Sequence, residues 1–376
     1  MRRDESQIFD MILDGHPSRF VLGPLACLDL GRFVPHPPPV YIMDEAVAEL
    51  HPRWVEQIQE GCDSYRHDTL AVRGGEKAKT LARLAEVYDW LGARKVSRDG
   101  TIVAVGGGTV LDLAGMAAAT WRRGVNFVAI PTTLLAMVDS AIGGKTALNA
   151  AGLKNPVGVF HPAAGILADC GFLATLTRSA WRDGLAEMIK TAAIGDPRLF
   201  ASLHHWRARL AESIGSGSPD EPIPGILGAF PWQQMIGQTA AVKAHIVNRD
   251  FRENGLRRTL NLGHTLGHAL EAWSMETDRP LSHGQAVSVG MAVVFRIAAE
   301  RGTCPVATAV QVIEILEACG LPVTHSSPGA DSLERLLAGD KKQSARGDLR
   351  WVLPERIGKM DINGRVAIAE ITKWLD

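Results

Sequence analysis

The sequence predicts an α/β domain followed by an all-α domain, on three observations. Short β-rich runs alternate with helical patterns over the first half, a run of three glycines joins one strand to the next helix, and from Trp181 onward the apolar spacing is helical. The division is expected at 1–178 and 179–376.

In chain order, the expected strands are Ser18–Gly23, Pro39–Met43, Thr69–Arg73, Thr101–Val105 and Asn126–Ile130, each a short apolar run bounded by turn residues. Lys77–Leu91 and Val110–Ala119 carry helical spacing between them, which is the βαβ pattern of a parallel, helix-covered sheet. The second half reads as helices over Trp181–Ile194, Pro197–Ala211, Trp232–Asn248, Leu262–Trp273, Gln285–Arg301 and Val306–Ala318. Gly215–Pro224, GSGSPDEPIP, lacks periodicity and reads as an insertion between helices.

Composition excludes several classes. With 46% hydrophobic residues, 22% charged residues and a formal charge of −1, the chain has an ordinary core and no electrostatic footprint for nucleic acid. No apolar run reaches the roughly 18 residues of a membrane span, and the N-terminus MRRDESQIFDMILDG does not resemble an export signal. The five cysteines (27, 62, 170, 304 and 319) are scattered without a CxxC pair, as expected of reduced thiols in a cytoplasmic protein.

TIVAVGGGTVLDLAG places Gly106, Gly107 and Gly108 between an apolar strand and a helix start. Such a turn brings backbone N–H groups and the helix dipole to a pyrophosphate, although the spacing is not GxGxxG and a bare strand-to-helix turn looks the same. Asp44 ends the strand PVYIMD, where a carboxylate serves either as a helix cap or as a ribose acceptor. GGEKAK at 74–79 and Thr132–Thr133 offer further polar contacts at the same sheet edge. Together these favour NAD over a 2′-phosphorylated dinucleotide.

His264 and His268 stand four residues apart, with His283 before another helix. The pair suits either a metal site or an ordinary helix face. Glu187 and Lys190, in GLAEMIK, suit either an i, i+3 ion pair or, for Glu187, a third metal ligand. Lys145 in GGKT and Lys154–Asn155 in GLKNPVGVF lie in a Gly-rich stretch suited to an anion pocket.

The motifs GGGTVLDLAG, RRGVNFVAIPTTLLAMVDSAIGGKT, KNPVGVFHP, GLAEMIK, GLRRTLNLGHTLGHALEA and DKK…WVLPERIGK occur in the order found in 3-dehydroquinate synthase and other sugar phosphate cyclases. The resemblance spans roughly residues 18 to 365. It implies an NAD-binding α/β domain, a helical metal- and substrate-binding domain, an active site between them, and a homodimer. It implies catalysed loss of phosphate from a phosphorylated keto-sugar acid, in which NAD is oxidant and then reductant.

By this resemblance Glu187, His264 and His283 hold zinc, with cobalt as an alternative ion, and His268 handles a proton near the substrate phosphate. Lys145, Lys190, Arg123 and Asp139 join it in catalysis, and Asn155, Lys243, Arg257, Asn261 and one of Lys341 and Lys342 bind substrate. Asp44, Glu76, Lys79, Gly107, Gly108, Asp112, Thr132, Thr133 and Lys154 fall at cofactor positions. The chain departs from the family pattern at Gln285 and Phe251, where acidic residues are common. The lost charge at Gln285 is expected to alter the tuning of His283.

Overall fold

The structure is a computed structural model that describes residues 6–24, 29–36, 38–60, 68–343 and 349–375. The chain divides into two compact units, Met1–Leu176 with Trp232–Phe251, and Thr177–Pro231 with Arg252–Asp376.

The first unit begins with β1 (Gln7–Leu13) and β2 (His16–Leu22), an antiparallel pair. Asp14 and Gly15 join them at φ 53° and 84°, the two positive values a tight type I′ hairpin requires. There follow β3 (Val40–Asp44), α1 (Glu45–Leu50), α2 (Pro52–Glu60), β4 (Asp68–Val72), α3 (Leu81–Ala93), β5 (Thr101–Gly106), α4 (Gly108–Thr120) and β6 (Asn126–Pro131). A hairpin of β7 (Lys145–Ala150) and β8 (Leu153–Phe160) then precedes β9 (Gly165–Ala168).

The main sheet runs β1-β2-β9-β6-β5-β3-β4, and every pairing after the first hairpin is parallel. All six residues of β5 are buried, as are those of β9, because helices cover a parallel sheet on both faces. That explains why β3, β5 and β6 were readable as apolar runs.

In the second half come α5 (Arg178–Gly195), α6 (Pro197–His205), α7 (Arg207–Ile214), α8 (Ile226–Ala229), α9 (Trp232–Arg249), α10 (His264–Ser274), α11 (His283–Glu300), α12 (Val306–Ala318), α13 (Ala330–Gln343) and α14 (Ile368–Leu375). The helix expected over Pro197–Ala211 is two, broken at Trp206. α11 packs against α5, α10, α12 and α14, and thirteen of its eighteen residues are buried. A helix apolar on nearly every face belongs at the centre of a bundle.

Two features depart from expectation. The second unit is helix-rich but not wholly helical, since β10 (Trp351–Arg356) and β11 (Lys359–Gly364) form an antiparallel hairpin in it. α9, which the 178/179 division puts in the second half, packs in the first unit on β1 and on the π-helical turn Ala136–Ser140. Asn248 on α9 accepts a hydrogen bond from the Ile12 backbone of β1 at 2.8 Å.

The Gly215–Pro224 insertion lies between α7 and α8 and is tied down by Arg178. The Arg178 backbone N–H donates to Glu221 O (2.9 Å), and its guanidinium donates to Ser213 O (3.0 Å) and Ser218 O (3.3 Å). Cys304 and Cys319 are buried as thiols and Cys170 is partly buried, while Cys27 and Cys62 lie outside the described residues.

Candidate metal centre and nucleotide cradle

In the second unit, Glu187 projects from the middle of α5, while His264 and His283 are the first residues of α10 and α11. One ligand atom from each lies within 4.8 Å of the others. Nε2 of His264 and Nε2 of His283 both stand 3.5 Å from the same Glu187 oxygen, Oε1. Their opposite ring nitrogens have acceptors. His264 Nδ1 is 3.2 Å from Leu262 O, and His283 Nδ1 is 3.3 Å from Glu271 Oε2. Each acceptor favours the tautomer with a proton on Nδ1, which leaves the Nε2 lone pairs directed at Glu187.

The Glu187 side chain has no exposure and Lys190 only 2%, with the ammonium against Glu187 Oε2. Burial alone raises a carboxyl, but Lys190 and the two histidines outweigh it and hold Glu187 well below the usual range. Burial first, and then the Lys190 charge, hold His264 well below the ordinary imidazole value, so it is neutral at pH 7. Despite these neighbours, neither Glu187 oxygen accepts a hydrogen bond of good geometry. A buried carboxylate faced by the Nε2 atoms of two imidazoles is a donor set that fits zinc or cobalt. A set of three such donors would leave coordination positions open on an ion.

His268, one turn along α10, is exposed and lies outside this group. Its ring centroid is 5.2 Å from that of His264 and 6.1 Å from that of His283. The spacing that suggested a His264–His268 pair therefore puts only one of the two against Glu187.

Two carboxylates absent from the sequence reading surround His283. Asp183, one turn before Glu187 on α5, accepts from Ser282 Oγ (2.5 Å) and Gly284 N (2.9 Å). Glu271, on α10, faces the ring. Helical spacing was the signal for both, at i−4 from Glu187 and i+7 from His264. Gln285 plays a different part from the one expected. Its Oε1 accepts from Ser282 N at 2.9 Å, closing a capping box on α11, so its missing charge bears on a helix end and Glu271 supplies the acid at His283.

The first unit holds a polar cradle around the start of α4. Gly107 caps α4 without a side-chain hydrogen bond, and the first turn of the helix carries no acidic residue. Asp44 caps α1 through Ala46 N (3.1 Å), the first of its two sequence readings, and also receives a hydrogen bond from the Gly74 backbone. A Cβ on Gly74 would lie 2.4 Å from Asp44 Oδ2, so a larger residue there would have to turn the carboxylate aside. Gly75 N donates to Thr109 Oγ1 at 3.0 Å.

Behind this turn, the buried Lys79 donates to Asp112 Oδ2 (2.6 Å) and Asn155 Oδ1 (2.5 Å). Burial raises the Asp112 carboxyl to about 6 in spite of Lys79. Asn149, another residue missed in sequence, accepts from Asn155 N (2.9 Å) and donates to Glu76 Oε1 (2.8 Å). Asn155 thus stands among the residues expected at the cofactor as well as the substrate. The arrangement fits a dinucleotide: open backbone donors for phosphate, with carboxylates and amides for sugar hydroxyls.

Asp139 sits in the π-helical turn, where its side chain and carbonyl both accept from Lys243 Nζ of α9 at 2.6 Å. Thr133 Oγ1 accepts from Ala136 N at 3.2 Å at the start of that turn, and Thr132 is buried beside it. In the second unit Arg257 is buried, and Asn261 Nδ2 donates to Glu253 Oε1 at 2.7 Å. Lys145, Lys154 and Arg123 are exposed, the last in a turn where Arg122 and Arg123 have φ 53° and 68°. The side chains of Lys341 and Lys342, on α13, lie outside the described residues. Phe251 is buried and packs on Phe160 with centroids 5.0 Å apart, so the position usually acidic serves packing here.

The family models for the 3-dehydroquinate synthase N-terminal and C-terminal regions match residues 69–183 and 184–343. The chain belongs to the 3-dehydroquinate synthase family. A 3-dehydroquinate synthase of Rhodopseudomonas palustris (strain BisA53) is 39% identical over 345 residues, covering 89% of this chain and 85% of the relative. One from Caulobacter vibrioides is 41% identical over 295 residues, 77% of this chain and 76% of its own. Among solved structures, the 2-epi-5-epi-valiolone synthase ValA of Streptomyces hygroscopicus, with NAD+ and Zn2+ bound, superposes with a TM-score of 0.82. It is 30% identical and covers 95% of both chains.

Proposed function

We propose that the chain is a 3-dehydroquinate synthase, converting 3-deoxy-arabino-heptulosonate 7-phosphate to 3-dehydroquinate and phosphate. The observation that carries this is the three-ligand group of Glu187, His264 and His283 beside the buried Lys190, in a chain that matches 3-dehydroquinate synthase models over 69–343. When bound, NAD would accept and return a hydride at the carbon being oxidised, and zinc or cobalt would bind and polarise hydroxyls there.

The chain's own residues hold and orient. Glu187, His264 and His283 would ligate the metal, with Lys190 as a buried cation next to it. Asp44, Glu76, Lys79, Gly107, Gly108, Asp112, Thr132, Thr133 and Lys154 would hold NAD, its pyrophosphate at the open start of α4. Lys145, Asn155, Lys243, Arg257, Asn261, Arg123 and one of Lys341 and Lys342 would grip the substrate's carboxylate, hydroxyls and phosphate through charge-assisted bonds. Asp139 fixes the Lys243 ammonium. His268, exposed beside the ligand histidines, would donate and accept a proton near the substrate phosphate.

With that phosphate held, elimination, ring opening and intramolecular aldol closure need mainly conformational control. No described helix is long and apolar enough to cross a membrane. A cytoplasmic homodimer, acting on a small molecule and not on nucleic acid or membrane, completes the reading.

The ValA relationship makes a cyclase of another sugar phosphate the second reading. Parallel assays with NAD and zinc on 3-deoxy-arabino-heptulosonate 7-phosphate, its amino analogue and sedoheptulose 7-phosphate separate them. Phosphate release from the first supports the proposal, and release from sedoheptulose 7-phosphate alone would defeat it.

A further inference from the structure

We infer that Glu271 is a positioning residue for the metal centre, holding the His283 ring in the orientation and tautomer that direct Nε2 at the ion. The inference rests on the metal reading above and adds to it a residue outside the ligand set.

His283 opens α11, where a side chain at a helix end has fewer neighbours to fix it than one in the middle. Its backbone is already held. Asp183 accepts from the residues on either side of it, Ser282 and Gly284, and the Ser282–Gln285 capping box closes the same turn. A Cβ on Gly284 would fall 2.4 Å from Asp183 Cα, so α5 and α11 are in close backbone contact here. The freedom left is rotation of the imidazole, and Glu271 Oε2, 3.3 Å from Nδ1, removes it. With Nδ1 engaged, Nε2 points at Glu187 Oε1, 3.5 Å away. His264 has the same arrangement with a backbone carbonyl, Leu262 O, in place of the carboxylate.

The geometry also explains how distant segments agree on one point in space. α5 carries a ligand, Glu187, and the clamp Asp183 four residues before it. α10 carries a ligand, His264, and Glu271 seven residues after it. Both spacings keep ligand and support on one helix face, so each of these helices contributes one ligand and one support for the third. An acceptor on the distal nitrogen makes a ligating imidazole more basic, and losing such a partner typically costs 10- to 100-fold in metal affinity.

The test is cobalt titration of the metal-stripped full-length chain, read by visible absorption with zinc competition, alongside melting of the metal-free protein. Native protein should take up one cobalt. Glu271→Ala should bind roughly 10- to 100-fold more weakly with an altered cobalt spectrum, its metal-free melting temperature close to native. Glu271→Gln, which keeps an acceptor without the charge, should fall between the two and serves if the alanine variant does not fold. Native-like affinity and spectrum in whichever variant folds would overturn the inference. So would a lower metal-free melting temperature with an unchanged spectrum, which marks a merely structural part. Failure of the native chain to bind cobalt would instead overturn the metal reading.

Discussion

Gly290→Ala is expected to damage the metal centre without touching a ligand. Gly290 lies on α11 where it crosses the start of α10. An added Cβ would lie 2.0 Å from the carbonyl oxygen of Gly263 and 2.9 Å and 3.1 Å from its other backbone atoms. Ordinary contact begins near 3.4 Å, and no flexible side-chain end is available to give way. The two backbones must therefore part by roughly an ångström. Overpacking of this kind costs about 1–3 kcal/mol. Gly263, at φ 77°, is the cap residue directly before His264, so the displacement passes to a ligand.

The assay is thermal melting with and without zinc, together with zinc affinity. The melting temperature should fall and zinc affinity should drop about tenfold or more, by analogy with the loss of a supporting group. Gly228→Ala, where a Cβ meets nothing within 4 Å, is the control and should change stability by less than about 0.5 kcal/mol. A Gly290→Ala protein as stable and as tight for zinc as Gly228→Ala would refute the reasoning.

Other substitutions should separate the roles in the site. Glu187→Ala and His283→Ala should abolish turnover and zinc binding, whereas His268→Ala should impair turnover with zinc retained; zinc analysis of the three proteins checks this. Lys190→Met leaves the Glu187 carboxylate buried without its cation, an expected cost of about 3–5 kcal/mol in metal-free protein that zinc should partly restore, seen in denaturation with and without chelator. Asp112, raised to about 6, binds a proton more readily in the folded chain than in the unfolded one. Its contribution to stability is thus full below about pH 3.8 and lost as pH rises through about 6, a difference of about 3 kcal/mol. The stability gap between native protein and Asp112→Asn, followed from pH 4 to 7, should show that decline.

The central strands β3, β5 and β6 were legible because covered parallel strands are apolar without interruption. The wholly buried β9 was missed because it is only four residues long, and β4 was read although it is largely half-buried. β1 went unseen since its inner and outer faces alternate, with Ile8, Asp10 and Ile12 exposed, although Asp14–Gly15 is a strong hairpin signal. Missing β1 also hid the surface that draws α9 into the first unit. For the site, residue types alone favoured the adjacent pair His264 and His268. Helical spacing puts both on one face but says nothing of which ring meets a carboxylate 77 positions earlier in the chain. That choice came from family resemblance, and the structure places Glu187 against His264 and His283. Glu271 and Asp183 stayed hidden because an acid on a helix usually faces water, and only the approach of α11 turns these two into supports.

The most direct measurement is a simultaneous record of phosphate and NADH from zinc-loaded protein, given 3-deoxy-arabino-heptulosonate 7-phosphate and NAD at the enzyme's own concentration. Phosphate should accumulate over many turnovers while NADH never exceeds a trace, because the hydride is returned in each cycle. NADH formed mole for mole with substrate consumed, or no phosphate at all, would contradict a cyclase and point instead to a simple dehydrogenase.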